Sequence, residues 1–437
     1  MTPLDIGLIA VVALLLLIAL GLPIGIGMLA VSFVAVAALR GDTVATRMMA
    51  QVANDSLEEY LFAVVPLFVL MGLLVTVSGV GRDTFDVFQR LMRRVAAGLG
   101  MATVFANAVF ASITGISIAS ATVFSRIAVP EMRRRGYSSS FATGVVAGSS
   151  VLGMLIPPSL LMIVYAVLAE ESVGRMFLAG VGPGLLLAAL FCATILALAR
   201  LRPGFVFAAA DTLGDEPAIG LGEVLLKAVP ILSLVVLVLG GLYGGFLNPT
   251  EAGAAGAFGA LVIALMRRSF DRRTFWRLLV ETGQITVSVL FLILAATFFS
   301  RMLALTGVPR HLSELFLAGG LGPYGFLLLY LLLIVALGCL IDSISIMLIV
   351  LPIALPVAQA AGFDMIWFGV LTVIAVEIGL LTPPFGLSVY TIKSAMDDPG
   401  LSIGDIFRGA VPFILAMVAC IALIIVFPPI ATWLARL

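Results

Sequence analysis

Charge is scarce in this sequence. Only 11% of its 437 residues are Asp, Glu, Lys or Arg, and the two signs cancel to a net charge of zero. Bulk charge therefore names no partner, and no nucleic acid is expected among them. Histidine is nearly absent. The single one, His311, falls in an expected outer loop beside Arg310 and Glu314, where a lone imidazole is more often solvated than catalytic. The three cysteines, Cys192, Cys339 and Cys420, are scattered without a CxxC pair. That spacing suggests neither a disulfide framework nor a zinc site, and the plain expectation for all three is a small lipid-facing residue. Catalytic signatures are also missing. There is no GxxxxGK[ST] loop for ATP and no HExxH. Asp342 is not preceded by GxGD, and Ser78-Gly79 lacks the flanking pattern of a serine nucleophile.

What the chain has instead is apolar surface. It is 62% hydrophobic with a mean hydropathy of +1.23, more than a soluble domain can hide. The expectation is an all-α polytopic membrane protein. Spans are expected at 5–21, 24–40, 61–80, 138–170, 176–199, 224–246, 249–267, 279–300, 363–396 and 404–434. The first apolar run, Ile6 to Leu20, has no basic n-region and reads as a retained span. Two further apolar segments, 99–132 and 321–359, are interrupted near their middles by small and polar residues, and each reads as a re-entrant hairpin. Two stretches read as amphipathic helices lying flat. In 82–96, Phe85, Phe88, Met92 and Val95 share a face opposite Arg90, Arg93 and Arg94. In 267–279, five arginines accompany Phe275 and Trp276. Simple interfacial anchoring accounts for both.

An internal repeat organises these segments. A shift of 226 maps Pro23 to Pro249, Gly27 to Gly253, Pro130 to Pro356 and Gly136 to Gly362. It also maps Gly153 to Gly379, Pro157 to Pro383 and Pro158 to Pro384. The expected division is 1–199 for the first repeat, 200–223 for a linker with Pro203, Gly204, Gly214 and Pro217, and 224–437 for the second. Each repeat has five spans and one hairpin. An odd number of spans inverts the second copy, the architecture of secondary transporters. With the N-terminus outside, eighteen basic residues fall on the cytoplasmic side and six on the outer side, as the positive-inside rule asks. Both termini are then expected outside.

The double prolines mark the site. Pro157-Pro158 and Pro383-Pro384 each remove two amide donors within an apolar span, so 138–170 and 363–396 are expected to be broken helices. Unpaired backbone at membrane depth is tolerated only against protein or a wet cavity. Each hairpin tip is expected to face the break of its own half. One cation site would use Ser112, Thr114 and Gly115 with Gly153, Ile156 and Pro158. The other would use Gly338 and Asp342 with Gly379, Thr382 and Pro384. Helix C-termini offer carbonyls to a hard cation such as Na⁺, while N-terminal amides and hydroxyls suit a carboxylate. Thr114, Ser117, Ser343 and Asp342 are the candidates for substrate contact, Ser117 and Ser343 being equivalent by the 226 shift. For any single Ser, Thr or Gly, helix packing is the alternative. Glu377 is a candidate acceptor for amides near Gly379. Asn248-Pro-Thr250-Glu251 reads as a capped helix start, and Arg301 as an interfacial anchor.

These motifs bear a resemblance. Ser112-Ile-Thr-Gly-Ile-Ser-Ile-Ala-Ser-Ala, Pro130, Gly136-Tyr137, Gly153-x-x-Ile-Pro-Pro-Ser159 and Gly182-Pro183-Gly184 resemble the large membrane subunit of tripartite ATP-independent periplasmic (TRAP) transporters. Asn248-Pro-Thr-Glu-Ala252, Asp342, Pro352, Pro356 and Gly379-x-x-Thr-Pro-Pro384 extend the likeness over nearly the whole chain. The resemblance implies a bacterial inner-membrane importer of small organic anions, driven by two or more Na⁺ ions and moving as an elevator. It also implies a small four-span (Q-type) membrane subunit, expected as a separate chain, and a soluble periplasmic (P-type) binding protein. A self-sufficient Na⁺/carboxylate symporter, or an intramembrane hydrolase using Asp342 or Ser117, are the alternatives.

Overall fold

The computed structural model describes residues 1–208, 220–320 and 322–436. Helices dominate them, and no strand longer than an isolated Tyr137–Phe207 bridge occurs among the described residues. The first part contains α1 (Pro3–Ala19), α2 (Ile24–Arg40), α3 (Asp42–Glu58), α4 (Val64–Val77) and α5 (Val80–Met92). A hairpin follows, α6 (Gly98–Thr114) and α7 (Ser117–Arg134). Then come α8 (Ser139–Ser150), α9 (Leu152–Leu155), α10 (Leu160–Leu168), α11 (Val173–Leu201) and a short α12 (Pro203–Val206). In the second part α13 (Leu221–Val235) passes through a π-helical stretch, Val236–Gly240, into α14 (Gly241–Tyr243). It continues with α15 (Pro249–Met266), α16 (Arg272–Thr306) and α17 (Val308–Ala318). The second hairpin is α18 (Gly322–Gly338) and α19 (Ser343–Ala360), before α20 (Met365–Leu381), α21 (Leu387–Met396), α22 (Ile403–Val426) and α23 (Pro429–Thr432).

Among the described residues, six helices are long and apolar enough to cross a membrane, or eight if each sharply bent pair counts as one span. Burial sorts them. Every residue of α20 is buried, as are most of α8, α9 and α10, so the broken helices form the centre. The outer helices turn large apolar side chains outward, including Leu16, Val34, Phe258 and Val287, as lipid contact requires. Close crossings use small residues. A Cβ on Gly144 of α8 would run into the backbone of Gly409 on α22, and one on Gly148 into Phe413.

Positions paired by the 226 shift adopt the same local roles. Gly136 and Gly362 both end a hairpin's second arm with φ of 81° and 78°. Pro130 and Pro356 both lie inside that arm, and Ser117 and Ser343 both begin it.

Several expectations need correction. The stretch 42–58, which is not among the expected spans, forms α3, whose amphipathic pattern is too polar to register as a span. Arg301, the expected interfacial anchor, also ion-pairs with Asp55 of α3 at 2.8 Å, linking α16 to α3. The stretch 267–279 is not a separate flat helix. Asp271 caps α16 by accepting from the Thr274 amide, and the helix then runs unbroken for 35 residues. At 1.5 Å per residue that is about 52 Å, well beyond a hydrocarbon core of about 30 Å, so its arginine-rich first turns clear the apolar layer. His311 sits on α17 rather than in a loop. The last span stops at Val426, ahead of Pro428 and Pro429. All three cysteines are buried, not lipid-facing. The expected helix at 82–96 is α5, bent 66° from α4. Its apolar face lies on the first hairpin, with Phe85 buried and Phe88 stacked on Phe105 of α6. In the expected linker, helix persists to Leu201 and resumes at Pro203–Val206, while Gly214 and Pro217 lie outside the described residues.

Candidate functional site

Both proline pairs break their helices. The arm before Pro157 and the arm after it are bent by 42°, and Pro157-Pro158 and Pro383-Pro384 are both cis. The backbone groups freed by the prolines are handled locally. Pro158 cannot donate to the Met154 carbonyl, and the Ser159 hydroxyl does so instead at 2.5 Å. The same Ser159 caps α10 by accepting from the Met162 amide. In the second break the Thr382 hydroxyl donates to the Ile378 carbonyl at 2.6 Å, and the Thr382 amide to Gly379 at 2.9 Å.

Each hairpin tip lies against the break of its own half. Gly115 ends α6 with φ of 63°, and a Cβ there would stand 2.6 Å from the Pro158 carbonyl oxygen. The Leu160 amide reaches the Gly115 carbonyl at 3.4 Å. Gly153 faces Ala111 and Ile116 at van der Waals distance. In the second half Gly338 and Gly379 meet backbone to backbone, so that a Cβ on either would come within 2.7 Å of the other's Cα. Glycine is required at Gly115, Gly338 and Gly379 because two main chains approach there with no room for a side chain. Each half thus brings together two helix C-termini, α6 with α9 and α18 with α20. The N-termini of α7, α10, α19 and α21 follow directly in the chain. Carbonyl ends attract cations and amide ends attract anions.

The individual side chains are placed as follows. Ser112 and Thr114 are buried and donate to their own helix, to the Val109 and Phe110 carbonyls, leaving oxygen lone pairs free. Ile156 is half-buried and covered by Gly184 of α11. Pro158 is buried, whereas Pro384 is exposed and Thr382 half-buried, so the two breaks differ in access. Asp342 is exposed, and its carboxylate caps α19 by accepting from the Ser345 amide at 3.1 Å. No hydrogen bond joins Asp342 to Gly379 or Thr382 among the described residues. Ser343 is buried at the first turn of α19. Asn248 caps α15 in a reciprocal pair with Glu251, the helix start read from sequence.

Glu377 has a different partner from the one expected. It is wholly buried on α20 and accepts from the Ser117 hydroxyl at 3.4 Å, across 260 residues of chain, instead of from amides near Gly379. Its second oxygen, Oε2, has no partner among the described residues. This contact brings the tip of the first hairpin to the second broken helix, two residues before Gly379. At the opposite end of α20 the Tyr165 hydroxyl donates to the Met365 carbonyl at 2.6 Å, and both α9 and α10 pack on α20. The two breaks therefore converge.

A buried polar tie in each half was not foreseen. Asn107 of α6 donates to Ser149 of α8 and accepts from Ser120 of α7, both at 2.5 Å. In the second half Tyr330 of α18 meets Thr372 of α20 at 2.8 Å. Both ties span 42 residues, yet they sit one helical turn apart under the 226 shift, so no residue-by-residue match reveals them.

Comparison with known proteins decides the family. The profile described as "Tripartite ATP-independent periplasmic transporter, DctM component" matches residues 11–430. The chain belongs to this TRAP transporter family. It is 33% identical over 381 residues to the C4-dicarboxylate TRAP transporter large permease protein DctM of Pseudomonas aeruginosa, covering 86% of each chain. It is 29% identical over 422 residues to the sialic acid TRAP transporter large permease protein SiaM of Vibrio cholerae, covering 95% of each. Among solved structures, the antimetabolite efflux pump MtrF of Neisseria gonorrhoeae aligns over 97% of this chain and 95% of its own at a TM-score of 0.60, with 13% identity, a likeness of fold alone. As a TRAP large permease the chain is a multi-pass transporter of the bacterial inner membrane and not an enzyme.

Proposed function

We propose that this TRAP permease imports a small organic acid, driven by Na⁺ entering with it. A soluble periplasmic protein delivers the acid, and a small four-span membrane subunit completes the complex. The observation that carries this reading is the seating of Gly115 on Pro158 and of Gly338 on Gly379. These contacts gather helix C-termini, whose carbonyl ends suit hard cations. One Na⁺ is assigned to Ser112, Thr114, Gly115, Gly153, Ile156 and Pro158, and a second to Gly338, Gly379, Thr382 and Pro384. The acid's carboxylate is assigned to the amide ends of α7 and α19, with Ser117, Ser343 and Asp342 beside it. Cations at the carbonyl ends offset the charge of the acid, which links the two bindings.

The repeated Pro-Pro breaks support two inverted repeats. In this reading the hairpins and breaks move together as an elevator against the outer helices. The basic count supports termini outside. The substrates named for the relatives, a C4-dicarboxylate and sialic acid, support a carboxylate-bearing cargo.

Uptake of radiolabelled succinate and sialic acid into sealed proteoliposomes tests this. Uptake that requires an inward Na⁺ gradient together with the small subunit and an added binding protein is expected. Thr114→Val and Asp342→Ala should cut it while the protein still inserts. Uptake unaffected by collapse of the Na⁺ gradient would overturn the reading.

A further inference from the structure

Two guanidiniums on the arginine-rich side of the molecule lack a carboxylate. Arg82 of α5 and Arg126 of α7 line a cleft of about 180 Å³ between these helices, together with Phe85, Gln89, Ile127 and Pro130. The acids of the same cleft are already committed. Asp86 holds Lys227 of α13 at 2.7 Å, and Glu131 holds Arg135 at 3.1 Å and Arg134 at 3.5 Å. Asp83, the other acid on this part of α5, pairs with Arg267. Arg126 donates only to the Ala395 carbonyl, and Arg82 has no hydrogen bond or ion pair among the described residues. The cleft is left with two guanidinium charges that no carboxylate answers among the described residues.

We propose that this cleft binds a phosphate-bearing anion, which in the membrane is the phosphate of an acidic lipid headgroup. Two features favour it. A planar guanidinium from each wall can grip a tetrahedral phosphate from two sides. The place is also right, since α5 turns 66° from α4 with its apolar face against the first hairpin. Both walls of the cleft also run into arginine clusters, Arg93-Arg94 after α5 and Arg133 to Arg135 at the end of α7, and such basic stretches meet headgroups. Such an anion bridges α5 to the second arm of the first hairpin, and so braces the hairpin whose tip meets Pro158.

The test uses the purified full chain in a neutral detergent. Thermal unfolding is followed on adding phosphatidylglycerol, phosphatidylcholine or inorganic phosphate, and retained lipid is counted by native mass spectrometry. Phosphatidylglycerol is expected to raise the unfolding temperature and to be retained, and phosphatidylcholine is not. Arg82→Gln and Arg126→Gln should each weaken that shift and together abolish it, whereas Arg93→Gln and Arg94→Gln, outside the cleft, leave it intact. A shift with inorganic phosphate alone, lost in the same two variants, would also support the site and identify a free anion as its source. A double variant that responds as the wild type does would overturn the proposal, as would no response to either phosphate source.

Discussion

Ser117 and Glu377 lie 260 residues apart and share a buried hydrogen bond of 3.4 Å, joining the tip of the first hairpin to the second broken helix. The hairpin whose tip packs on the first Pro-Pro break thus also touches the helix that leads into the second. A carboxyl group buried with one partner is costly to leave with none. Ser117→Ala is therefore expected to destabilise the protein by about 1–3 kcal/mol, read as a lower unfolding temperature in detergent. Glu377→Gln keeps a carbonyl acceptor for the serine and should fall less. Equal stability of Ser117→Ala and wild type would show that the contact holds nothing together.

Gly115→Ala places a methyl group 2.6 Å from the Pro158 oxygen, at a φ of 63° that side chains rarely adopt. The tip must move off the break. The apparent Na⁺ affinity of uptake is expected to drop by about tenfold, for a change of about 1.4 kcal/mol, with surface expression retained. Wild-type Na⁺ dependence would remove Gly115 from the cation site.

Gly144 and Gly409 let α8 and α22 cross backbone to backbone, leaving no room for a Cβ on either. Gly144→Ala or Gly409→Ala should each cost about 1–3 kcal/mol through overpacking. Because the residues touch, the double variant should cost less than the sum. A thermal-shift double-mutant cycle measures both effects.

Asp398 lies in the loop between α21 and α22. The Arg133 guanidinium at 2.6 Å, then the Gly400 amide, hold its carboxyl below the usual carboxylate range. A lowered value in the folded state means the contact contributes fully above the unfolded value and is lost as pH falls through the folded one. Acidification should therefore loosen α7 from α21, seen as faster hydrogen exchange at the end of α7. Arg133→Gln should remove that pH dependence, and an unchanged profile would count against the contact.

Legibility in the sequence followed the chemistry of proline and glycine. Paired prolines inside apolar runs announce helix breaks, and small and polar residues midway through 99–132 and 321–359 mark the turns between α6 and α7 and between α18 and α19. Contacts between side chains distant in sequence were not visible. Nothing near Glu377 points to Ser117, and nothing near Asn107 points to Ser149, because such pairs are set by how helices cross. Amphipathic α3 escaped for a different reason: its polar face masks it in a hydropathy scan, and its place is fixed partly by Arg301. Long α16 was divided because its arginine-rich start reads as an interface until the cap at Asp271 shows where the helix begins.

The most direct measurement is a density map of the complex in lipid, recorded once in Na⁺ and once with Na⁺ replaced by choline. Difference density is expected at two places, between Gly115 and Pro158 and between Gly338 and Gly379, with both peaks gone in choline. Identical maps, or Na⁺-dependent density confined to places away from both tips, would contradict the account.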